Sequence, residues 1–126
     1  MTHEKPEIDF PEGPPPSDLE VTELTEGDGA AAEAGKTVLV HYVGVAFSTG
    51  EEFDASWNRG EPFSFRLGAG NVIAGWDRGV QGMKVGGRRK LIIPPDLGYG
   101  QGGNGIAPNE TLVFVTDAVT VPNDKS

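Results

Sequence analysis

Val72-Ile73-Ala74-Gly75-Trp76 is the stretch on which the reading of this chain turns. It opens the one segment with helical spacing. Val72, Ile73, Trp76, Val80 and Met83 recur three or four residues apart and predict a helix over 72–83 with a single apolar stripe. Gly75 and Gly79 weaken that helix, so it should be short and held by packing. Aromatic clusters flank it: Phe53-Asp54 and Pro62-Phe63-Ser64-Phe65 upstream, Tyr99-Gly100 and Leu112-Val113-Phe114 downstream. Only 8% of the residues are aromatic, so their recurrence beside glycines and prolines is informative. It predicts an apolar cavity floored by Trp76, with few polar groups, suited to a compact apolar ligand.

Around the helix the chain reads as strands. Leu19 to Leu24 alternates apolar and polar residues, as a half-buried strand does, and Gly27-Asp28-Gly29 ends it. Thr37 to Val45 is rich in β-branched residues, Ser48-Thr49-Gly50 is a turn, and Glu52-Phe53-Asp54 resumes extended structure, which makes a hairpin. Pro62 to Leu67 puts Phe63, Phe65 and Leu67 on one face of another strand. Arg88 to Ile93 is a strand closed by Pro94-Pro95, 96–109 a glycine-rich loop, and Glu110 to Val121 the last strand. The expected class is α+β: antiparallel strands with one short helix laid across a face of the sheet.

The length of 126 residues allows one domain with its own core. Residues 1–17 differ in kind. Pro6, Pro11, Pro14, Pro15 and Pro16 sit among acids, which predicts a disordered Pro-rich acidic tail before a globular unit over 18–122 and a frayed end at 123–126. Phe10-Pro11 in the tail is itself an apolar residue before proline. The absence of cysteine excludes disulfides, thiolate metal sites and cysteine nucleophiles. A net charge of −9 repels phosphate backbones and argues against nucleic acid. No apolar run is long enough to span a bilayer, and the N-terminus has no secretory h-region, so no membrane is expected and the cytoplasm is the default location.

Chemistry-bearing groups are sparse. His3 and His41 lack companions at metal-ligand spacing, and no metal or cofactor is expected. None of the serines lies in a Gly-x-Ser-x-Gly setting. Gly68-Ala69-Gly70 precedes the helix without a following Lys-Ser/Thr and reads as a tight turn, not a phosphate loop. Arg88-Arg89-Lys90 reads as a solvated strand edge. Asp54 and Arg59 admit two readings at this stage: an Asp-initiated turn with a surface ion pair, or a carboxylate oriented at the cavity rim by Arg59 with help from Tyr42. Tyr99, between two glycines, either caps the core with a wet hydroxyl or aims a donor at a bound carbonyl.

Taken in order, these segments resemble a known family. Val40-His41-Tyr42-Val43-Gly44, Phe53-Asp54-Ala55-Ser56, Pro62 to Gly68, Val72 to Asp77, Gly79 to Met83, Pro95 to Gly100 and Thr111 to Phe114 are similar to the FKBP-type peptidyl-prolyl cis–trans isomerases, over about Leu19 to Val121. The resemblance implies a strongly bent antiparallel sheet wrapped around a short helix, with a proline pocket between them. It implies Trp76 as the pocket floor, and Tyr42, Phe53, Phe63, Val72, Ile73 and Phe114 as walls. Asp54 and Tyr99 would be its polar, catalytic groups, with Arg59 supporting Asp54 and Ile106 as a further binding residue. Ile73 would offer its backbone N–H to a carbonyl. Prolyl-containing polypeptides and the macrolides tacrolimus and rapamycin are the implied ligands, and a monomer the implied state. Trp57, Asn71, Ala107 and a shortened 102–105 tip depart from the family pattern and bear on substrate preference and macrolide affinity. Two other functions compete with the enzyme: a holdase that grips prolyl segments without turnover, and a regulatory module docking through outer loops.

Overall fold

The computed structural model of the protein describes residues 13–70, 72–100, 102, 106 and 108–120. The expectations for most of the acidic tail, for Asn71 and Ala107, for most of the 102–105 tip and for the C-terminal end lie outside these residues. Six strands follow one another as β1 (Glu20–Thr25), β2 (Thr37–Ala46), β3 (Glu52–Ala55), β4 (Phe63–Arg66), β5 (Arg88–Ile93) and β6 (Leu112–Thr120). The helix α1 (Ala74–Gly79) lies between β4 and β5, and 3-10 turns occur at Ser56–Arg59 and Pro95–Leu97. All pairings are antiparallel, in the order β1-β5-β6-β2-β3, with β4 joining the same edge of β2 that β3 uses further on.

Alternation along the two long central strands builds the core. Val38, Val40 and Tyr42 of β2 and Leu112, Phe114 and Ala118 of β6 face α1 and meet Leu91 and Ile93 of β5, with Trp76, Val80 and Met83 above them. The opposite set, Val43, Val45, Val113 and Val115, is also buried, so β2 and β6 are covered on both faces. This explains why apolar residues stand at odd and even positions of both strands alike.

The helix is six residues long, shorter than the stripe predicts. Val72 and Ile73 precede it, Val80 follows at the start of a turn that ends at Gly82, where φ is 86°, and Met83 comes just beyond that turn. Val80, Met83 and Trp76 are nonetheless fully sequestered, so the stripe foretells burial better than helix length. Gly75 and Gly79 serve the packing. A Cβ at Gly75 would lie 2.6 Å from Ile93 Cγ2, and one at Gly79 would lie 2.8 Å from Leu91 Cδ2. Their bare backbone lets α1 settle directly on β5.

Two expectations are corrected. β1 is a strand, but it is exposed throughout instead of half-buried, with Val21 44% and Leu24 49% accessible. It forms the rim of the sheet beyond β5, on which α1 sits. The Arg88–Lys90 run is not a solvated edge, because β5 is interior, flanked by β1 and β6. Arg88 grips the buried Asp117 carboxylate with two N–H groups, at 2.7 and 2.8 Å. Arg89 donates to Glu23 at 2.7 Å, and to the carbonyls of Gly79 at 2.9 Å and Gln81 at 2.8 Å, closing the C-terminal end of α1.

Candidate active site

Between α1 and the sheet lies a cavity of about 270 Å³, lined by Tyr42, Phe53, Asp54, Phe63, Val72, Ile73, Trp76, Tyr99 and Phe114. Its size is at or below the lower end of the usual range of about 300–1,000 Å³, which suits a single ring and its neighbours. The lining comes from separate parts of the chain. β2 supplies Tyr42, β3 supplies Phe53 and Asp54, β4 supplies Phe63, the approach to α1 supplies Val72 and Ile73, α1 supplies Trp76, and β6 supplies Phe114.

Trp76 organises the aromatic walls. Its ring meets Tyr42 at 4.9 Å, Phe114 at 5.3 Å and Phe63 at 5.9 Å, all near perpendicular. Edge-to-face contacts of this kind are favoured by the ring quadrupoles. Phe65, which does not line the cavity, underlies the floor at 5.6 Å from Trp76. Phe53 and Phe114 cross at 5.5 Å over Gly44, where a Cβ would lie 2.6 Å from one ring and 2.8 Å from the other. The Trp76 indole N–H is buried and finds no hydrogen-bond partner among the described residues.

One polar network stands at the rim. The Tyr42 hydroxyl donates to Asp54 Oδ2 at 2.5 Å, while Arg59 donates from Nη1 to Asp54 Oδ1 at 2.9 Å and from Nη2 to the Tyr42 oxygen at 2.8 Å. The guanidinium carbon also lies 5.6 Å from the centre of the Tyr42 ring. Burial first, and then the Asp54 carboxylate, push the Tyr42 phenol above its usual range, so it remains a donor at neutral pH. The Asp54 and Arg59 side chains are about half exposed, which makes the pair worth little for stability. What it fixes is direction, because each oxygen of Asp54 already has a partner.

Of the two readings left open for Asp54 and Arg59, the structure holds both contacts: an exposed ion pair and a carboxylate joined to Tyr42 at the cavity. Arg59 itself does not line the cavity, and Ile106 is buried in the core instead. Three features were not read from the sequence. Asp77 accepts from the backbone N–H of Gly68 at 2.9 Å and Gly70 at 3.0 Å, and so folds the Gly-Ala-Gly turn that leads to Val72. His41 stacks on Trp57 at 4.1 Å. Ser56, fully buried, bonds the backbone of Tyr42. The only advance signal for these was the position of His41, Ser56 and Asp77 inside the quoted segments. Among the described residues no group of three or more His, Asp or Glu side chains is placed to hold a metal, and no helix is long and apolar enough to cross a membrane.

Comparison with known proteins agrees with this geometry. The sequence profile of the FKBP-type peptidyl-prolyl cis-trans isomerases matches residues 29–118. An FK506-binding protein of Streptomyces anulatus is 68% identical over 124 residues, covering 96% of this chain and all of its own length. A probable FK506-binding protein of Corynebacterium glutamicum is 52% identical, covering 93% of this chain and 98% of its own. Among solved structures, AtFKBP13 superposes with a TM-score of 0.77 at 37% identity, over 86% of this chain and 96% of that one. FkpA from Escherichia coli gives 0.75 at 45% identity, over 82% of this chain and 47% of that one. The open antiparallel sheet, its single short helix and these relatives place the chain in the FKBP family of peptidyl-prolyl cis–trans isomerases, which rotate Xaa-Pro bonds and bind macrolides.

Proposed function

We propose that the cavity is the prolyl seat, with the proline ring on the Trp76 indole and the flanking backbone reaching Ile73 and Tyr99. The observation that carries this reading is the union, in one small cavity, of an aromatic floor and a single internally satisfied polar network at the rim. Ile73 offers its backbone N–H to one carbonyl and Tyr99 its hydroxyl to another. Asp54, held by Tyr42 and Arg59, faces the carbonyl that rotates. The isomerase unit spans 18–122, acts as a monomer, and works in the cytoplasm on prolyl-containing polypeptides.

The chemistry asks for no nucleophile and no metal. Amide resonance sets a rotation barrier of roughly 18–20 kcal/mol, and Xaa-Pro exchange in roughly tens to hundreds of seconds. The planar amide is more polar than the twisted one. An apolar seat therefore disfavours the planar ground state more than the twisted transition state, which is catalysis by differential binding. Proton transfer has no part in it, so kcat/KM should be flat from about pH 7 to pH 9, where the Tyr42 phenol stays protonated. A bell-shaped profile in that range would replace this mechanism with acid–base chemistry.

The deciding experiment follows prolyl exchange in a Leu-Pro-Phe peptide by NMR, with and without rapamycin. Acceleration abolished by rapamycin is expected. Saturable peptide binding without acceleration would make the cavity a proline-gripping module instead.

A further inference from the structure

One edge of β2 is shared by two partners, and the junction between them lies at the site. Thr37 to Val40 register with Arg66 to Phe63 of β4, and Val43 to Val45 register with Ala55 to Glu52 of β3. No strand residue is registered opposite His41 or Tyr42 on this edge. In an antiparallel ladder the N–H and C=O of one residue turn to the same side. At Tyr42 that side holds the gap.

Ser56, the first residue after β3, fills it with a side chain. Its Oγ accepts the Tyr42 N–H at 2.7 Å, lies 3.4 Å from the Tyr42 carbonyl oxygen, and lies 2.8 Å from His41 Nδ1. The His41 tautomer sets the direction of the remaining bonds: the Ser56 hydroxyl donates either to Nδ1 or, when Nδ1 carries the proton, to the Tyr42 carbonyl. The imidazole is held in turn by Trp57, whose ring is stacked on it at 15°. Ser56 is 0% exposed, so water does not compete for these bonds.

We infer that Ser56 is a positioning residue of the isomerase site: its hydroxyl stands in for a missing strand and sets where the Tyr42 phenol meets Asp54. Ser56 is suited to this because it holds both ends of that contact. It bonds the backbone of Tyr42 directly, and it is two residues from Asp54 along the chain. The inference rests on the reading of the Tyr42–Asp54–Arg59 network as part of the prolyl seat.

The test compares four full-length proteins: wild type, Ser56→Ala, Tyr42→Phe and the double variant. Rapamycin binding checks that each cavity stands. Ser56→Ala should lower kcat/KM about five- to tenfold in the wild-type background and less than twofold in the Tyr42→Phe background. Its effect on the unfolding midpoint should be the same in both. The Tyr42 phenol, followed by ultraviolet titration, should move toward its ordinary pKa when Ser56 is lost. Ser56→Cys keeps the volume with a weaker acceptor and should fall between, which preserves the test if the alanine variant does not fold. An equal loss of kcat/KM in both backgrounds, or an unmoved phenol titration, would overturn the assignment and leave Ser56 a purely structural residue. If Tyr42→Phe alone leaves kcat/KM unchanged, the network is not part of the seat, and the role of Ser56 falls with it.

Discussion

Tyr42 carries two duties that single substitutions can separate. Its ring packs edge-on against Trp76, and its hydroxyl joins Asp54 to Arg59. Tyr42→Phe keeps the ring and frees a half-exposed carboxylate to water. Stability should therefore drop by about 1–2 kcal/mol, the net worth of the two hydrogen bonds at the phenol oxygen, while kcat/KM falls several-fold. Denaturant unfolding and the prolyl exchange assay measure the two separately. Trp76→Leu acts the other way round, because it removes the floor and its ring contacts with Tyr42, Phe63, Phe65 and Phe114. It should cost about 2–3 kcal/mol, somewhat below the usual Trp-to-Ala loss, and nearly abolish turnover. A folded Trp76→Leu protein with unchanged kcat/KM would remove the indole from the mechanism. At this scale the sequence was most legible where a residue type is scarce. Trp76, Tyr42 and Tyr99 stand out in a chain that is 8% aromatic, whereas Ser56 is an unremarkable serine until the gap in the sheet gives its hydroxyl a place to bind.

The helix α1 shows how an element can defy its own propensities. Gly-to-Ala exchange inside an exposed helix ordinarily stabilises it by about 1 kcal/mol. At Gly75 and Gly79 the sign should reverse, since the added methyl would meet Ile93 or Leu91 well inside contact distance. Either change should cost about 1–3 kcal/mol through overpacking, and Gly75→Ala should also displace the neighbouring Trp76 and reduce activity. A rise in the urea midpoint of Gly75→Ala would refute the close approach. The same glycines explain why the periodicity overstates the helix. Periodicity reports which side of a segment is buried, and a turn packed on the sheet buries the same residues as another helical turn. The misreading of Arg88–Lys90 has a related cause. Charge suggests solvent, but Arg88 and Arg89 spend their donors on Asp117, Glu23 and two carbonyls at the end of α1, contacts from distant parts of the chain that no local pattern announces.

For the molecule as a whole, acidity tests the back of the sheet rather than the pocket. Burial holds the His41 imidazole below its ordinary value near 6.5, against the opposing pull of Asp117 across the β2–β6 pair, which Arg88 largely engages. As pH falls through that value the unfolded chain takes up the proton before the folded one does. Stability is thus complete above about pH 6.5 and declines below it. Denaturant midpoints at about pH 7.5 and pH 5.5 should differ more for the wild type than for His41→Asn, and equal differences would discard the effect. β6, which follows the other described strands, is inserted between β5 and β2, so two separately paired groups meet only through it: β5 and β1 on one side, β2, β3 and β4 on the other. Until Leu112 to Thr120 has left the ribosome these halves share no ladder, and the strand that joins them is made after both. A protein of the prolyl isomerase family is thereby built so that its own sheet closes only once the strands on either side of the closing one have already been made.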